Sequence, residues 1–80
     1  MTNLLLRKNI YAGLTYDNFD GSDCSGTDKA VNRTLDVSDG VGFVVLERKI
    51  LHPVSDYTVS GTTITFLIAI DNRYRITVFR

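Results

Sequence analysis

Apolar and polar residues alternate with a period of two along most of this chain, and no stretch of ten or more residues repeats its apolar positions at helical spacing. The pattern predicts strands. A first strand, or a pair of short ones, covers Leu4 to Tyr16, with Ile10, Ala12, Leu14 and Tyr16 on one face and Gly13 marking a bulge or a close neighbour. The text "DNFDGSDCSG" from Asp17 to Gly26 is rich in residues that satisfy local backbone groups or accept positive φ. It predicts a loop, reaching to Asp28, as the most mobile part of the chain. Residues 29–37 alternate Val31, Arg33, Leu35 and Val37 as a short strand that "SDG" at 38–40 ends.

The strongest alternation begins at Val41. Val44, Leu46, Arg48 and Ile50 fall on one face, and charge enters both faces at 47–49, which reads as a turn or an exposed strand end. His52-Pro53 then interrupts pairing, because proline supplies no amide donor. Tyr57 and Val59 lead into Ser60-Gly61, a two-residue hairpin signal, after which Ile64, Phe66, Ile68 and Ile70 share a face. Asp71-Asn72 turns the chain into a last strand carrying Ile76 and Val78. The expected fold is therefore all-β. It is a small antiparallel β-sandwich or partly closed barrel of about six to seven short strands, one domain over residues 1–80, with 41–79 as its central meander. Ile64, Phe66, Ile68, Ile76 and Val78 are the expected core. The last strand is expected at an edge, with Arg73, Arg75 and Arg80 guarding it against indiscriminate pairing.

Eighty residues change this picture by making stability marginal, since so small a domain buries only about 60% of its unfolded surface. With one cysteine, Cys24, and one histidine, His52, neither an internal disulfide nor a structural zinc site is available, so association moves up as the supplement. A homo-oligomer or a larger partner is expected. Basic and acidic residues balance at 9 each, which argues against nucleic acid or an anionic membrane as a diffuse electrostatic partner. The distribution is uneven. Residues 17–39 hold six aspartates against Lys29 and Arg33, and residues 40–80 hold five cations against Glu47, Asp56 and Asp71. That asymmetry either orients neighbouring copies head to tail or is a solvated acidic loop beside an ordinary strand surface. At the N-terminus three consecutive leucines before Arg7 and Lys8 are too few for a signal-peptide core, so synthesis in a cytoplasm is expected.

Catalytic chemistry finds little support. A cysteine or serine hydrolase needs a base, and His52 is far in sequence from Cys24. Carboxylates from Asp17, Asp20, Asp23 or Asp56 lack any sign of a deep cleft around them. Helix-flanked calcium loops placed on Gly21 or Gly26 lack both the first carboxylate and the closing glutamate, which leaves a looser site among Asp17, Asp20, Asp23 and Asp28 or a solvated loop. No enzyme, cofactor or metal is expected. Tyr11, Tyr16, Tyr57 and Tyr74 offer sugar stacking, or else core edges, with Tyr57 most firmly core.

Residues 43–79, "FVVLERKILHPVSDYTVSGTTITFLIAIDNRYRITVF", resemble a pattern of tailed-bacteriophage virion proteins. In it an apolar strand and short turn precede a leucine, a proline or glycine, Asp-Tyr-Thr-Val, a glycine turn, Ile-x-Phe and a final Ile-x-Val strand. The matched positions are Leu51, Pro53, Asp56, Tyr57, Thr58, Val59, Gly61, Ile64, Phe66, Ile76 and Val78. Arg48-Lys49 stands where such modules have an Asn-Gly or Asp-Gly turn, and Arg75 where an aspartate is common. The resemblance implies a small β-sandwich of tail fibres, adaptors and capsid-surface proteins, and it brings no catalytic residues with it. The expectation it supports is a capsid decoration or cement protein on the virion, bound to the major capsid protein. A tail, neck or fibre adaptor and a carbohydrate-binding module are the alternatives. Candidate partner contacts are Leu4, Leu5 and Leu6, then Asp17, Asp20 and Asp23, then Arg73, Arg75 and Arg80.

Overall fold

Period-two alternation is realised as two antiparallel sheets in the computed structural model, which describes residues 9–11, 13–38 and 40–80. The strands are β1 (Asn9–Tyr11), β2 (Leu14–Asp20), β3 (Thr34–Asp36), β4 (Phe43–Leu46), β5 (Lys49–Ile50), β6 (Tyr57–Ser60), β7 (Thr63–Phe66) and β8 (Arg75–Phe79). They number eight once the two-residue β5 is counted. One sheet has five strands in the order β1-β2-β8-β4-β5 and the other three in the order β3-β7-β6. The chain is all-β, as expected. Of the two expected architectures the open sandwich is the one formed, and it does not close into a barrel.

Between the sheets lies one core. Val44, Leu46, Ile76 and Val78 from the larger sheet meet Leu35, Tyr57, Ile64 and Phe66 from the smaller, with Leu51 and Ile70 from the connections. Burying a large apolar side chain contributes about 1.5–3 kcal/mol, so these few residues carry most of what holds an 80-residue chain together. Four of the five expected core residues are fully buried; Ile68 is partly buried and packs against the rest. Tyr57 is buried as expected. Burial pushes its hydroxyl above the ordinary tyrosine range, and a hydrogen bond with the Val44 backbone opposes that shift.

Four readings need correction. The last strand is not an edge: β8 pairs with β2 on one side and β4 on the other, so residues 41–79 divide between the two sheets instead of forming one meander. The expected loop from Asp17 begins late, because Asp17 to Asp20 are strand, paired with Val78, Thr77, Ile76 and Arg75. Gly13 is a turn residue and not a bulge, since Tyr11 pairs with Leu14 around it. Ile50 does not share a face with Val44 and Leu46. The β4–β5 hairpin turns on Glu47-Arg48, pairs Leu46 with Lys49, and thereby sets Ile50 opposite Val45. The β6–β7 hairpin is close to expectation, with its loop at Gly61-Thr62, one residue later, where Gly61 takes a φ of 62°.

The segment after β2 is held down rather than loose. Gly21 is buried, its N–H donates to the Tyr74 carbonyl at 2.8 Å, and any Cβ there would collide with the Asp71 carbonyl. Arg33 continues the inward phase of Leu35 and Val37, and it is only 3% exposed. Its guanidinium donates to three carbonyls, Ser25 at 2.8 Å, Ile70 at 2.7 Å and Cys24 at 3.3 Å. A buried guanidinium needs such acceptors, and here they clip residues 24–25 to the chain entering β8.

Candidate interaction surfaces

The two sheets each turn one face to the core and one outward, and the outward faces differ in chemistry. On the smaller sheet two cross-strand rows run Thr34–Thr65–Thr58 and Asp36–Thr63–Ser60. Hydroxyls and one carboxylate fill it. Thr62 Oγ1 donates to Asp36 Oδ1 at 3.1 Å, and the Ser25 and Thr34 hydroxyls lie 2.7 Å apart. Water satisfies such a face without a partner.

On the larger sheet the corresponding rows run Phe43–Phe79–Tyr16 and Ile50–Val45–Thr77–Asn18. Leu14 extends the face at one end, and Ile50 is 61% exposed at its edge. The rings of Phe43 and Phe79 stack at 4.7 Å with their planes 6° apart, and Tyr16 lies 5.2 Å from Phe79 on the other side at 35°. The 4.7 Å separation is the spacing of neighbouring strands, so Phe43 and Phe79 stack plate on plate across the sheet. Phe79 has a ring on either side. An open groove of about 390 Å³ runs beside this row, lined by Tyr16, Asn18, Val45, Thr77 and Phe79. Thr77 Oγ1 donates to Asn18 Oδ1 at 2.9 Å across its polar wall.

At the far end of the same face, charge gathers. Asp20 and Arg75 are cross-strand partners, and an open notch of about 300 Å³ is lined by Asp20, Glu47, Arg48, Arg73 and Arg75. The Glu47 carboxylate accepts the Arg75 backbone N–H at 2.6 Å. Arg73 is engaged by Asp71 at 3.3 Å. The hydrogen bonds from the Arg73 side chain and backbone hold the Asp71 carboxyl below the usual carboxylate range, and the nearby Lys29 adds to them. The same pairing raises the Arg73 guanidinium further.

The candidate contacts read from sequence are therefore dispersed. Asp17 bonds Arg80 at 2.6 Å, Asp23 accepts the Asp20 backbone N–H at 2.8 Å, and Asp28 accepts that of Asn72 at 2.8 Å. Three of the four aspartates of the looser calcium proposal, Asp17, Asp23 and Asp28, thus have carboxylates with separate tasks. Part of the acidic segment also folds against the basic one within the same chain, with Asp17 bonded to Arg80 and Asp20 across from Arg75. Leu4, Leu5, Leu6 and the Tyr11 side chain lie outside the described residues. Cys24 is buried, and burial pushes its thiol above the ordinary range, with neighbouring Arg33 pulling the other way. His52 is exposed in the β5–β6 loop, its backbone N–H donated to Asp56 Oδ2 at 2.8 Å.

The apolar outer face escaped the sequence reading. Its signal was present as Phe43, Val45 and Phe79 out of phase with the core positions, but only strand order assembles them. Among the described residues no helix is long and apolar enough to cross a membrane, and no group of three or more His, Cys, Asp or Glu side chains could hold a metal ion. No family model, curated protein or solved structure matches the chain.

Proposed function

We propose that this chain is a non-enzymatic structural protein of a tailed-phage virion, docked through the outer face of its five-stranded sheet. Decoration or cement on the head surface, bound to the major capsid protein, is the form this reading takes first. The observation that carries it is the contrast between the two outer faces: the larger sheet sets half-buried Phe43, Phe79 and Tyr16 beside exposed Leu14 and Ile50, and the smaller sheet turns out hydroxyls.

The resemblance to virion modules supports the context. Its matched positions Tyr57, Ile64, Phe66, Ile76 and Val78 are core residues, so the shared pattern is the one that builds the sandwich. A carbohydrate-binding role fits less well. Sugar stacking needs an open ring face, and in this row Phe79 is stacked on Phe43 with Tyr16 tilted beside it at 5.2 Å.

The test is electron microscopy of intact virions with a gold-labelled antibody against the purified chain. Dense label over the head is the expected result. Label confined to the neck or tail transfers the reading to an adaptor, and particles without label remove the virion context.

A further inference from the structure

We draw no further inference here: the strongest candidate, the strained and exposed Val54 in the loop between β5 and β6, with a φ of 76° and 78% of the residue exposed, presents an apolar side chain, and nothing in the structure shows what covers it.

Discussion

The outer faces of the two sheets are built on the same pleat and enclose the same core, yet one is a lattice of threonine and serine and the other a row of stacked rings beside valine and isoleucine. Core packing demands neither pattern, since both sets point away from Ile64, Phe66, Ile76 and Val78. What differs is the chemistry each face offers. The smaller sheet turns hydroxyls outward, and the larger one turns half-buried rings outward beside exposed Leu14 and Ile50.

The comparison assumes one shared core, and the largest predicted effect tests that. Phe66→Ala beneath the hydroxyl sheet is expected to cost about 3–5 kcal/mol, and urea unfolding followed separately by tyrosine fluorescence and by far-ultraviolet circular dichroism should give coincident transitions. Separate transitions would mean two regions of independent stability. Next in size is Arg33→Met, which strips the Ser25, Cys24 and Ile70 carbonyls of their donor and is expected to cost about 1–3 kcal/mol by the same unfolding measurement.

The comparison itself is sharpened by matched substitutions on the two faces. Val45→Lys on the aromatic sheet and Thr65→Lys on the hydroxyl sheet should each change stability by no more than about 1 kcal/mol. They should separate in binding. Val45→Lys is expected to weaken attachment to particles at least tenfold in a pelleting assay, and Thr65→Lys to leave it unchanged.

A smaller effect concerns the connection between the sheets at Asp71. Its native carboxyl is held below the ordinary value by Arg73, so its contribution is complete above the unfolded value of about 3.9 and disappears as pH falls through the native value. Asp71→Asn should therefore lower Tm at pH 6 and flatten the loss of Tm on acidification. An unchanged acid limb would assign that loss to other carboxylates.

How much of this was legible follows from where the information sits. Ile64 with Phe66, and Ile76 with Val78, show their burial through local alternation alone, and Tyr57 follows from the phase of its hairpin. Ile50 misleads because a two-residue turn at Glu47-Arg48 resets the phase that simple alternation carries forward. Asp17 and Asp20 look like turn formers by propensity, and pairing with β8 overrides that preference. Arg75 looks like an edge guard because nothing local reveals that Asp20, far away in the chain, will lie beside it. The aromatic row has the same cause: Tyr16, Phe43 and Phe79 come from three separate segments, and only strand order makes them neighbours. The Val54 backbone carries no composition signal.

The central claim is that the aromatic face is the docking face, and site-selective labelling of single cysteines tests it most directly. Buried Cys24, with its thiol raised by burial, should react slowly with iodoacetamide in the native protein and supply a quiet background. Against that background Thr77→Cys reports the outer face of the larger sheet and Thr65→Cys that of the smaller, each compared free and on the particle. The account predicts that attachment protects Cys at 77 and leaves Cys at 65 labelling as fast as before. Protection at 65 with 77 still open would contradict it.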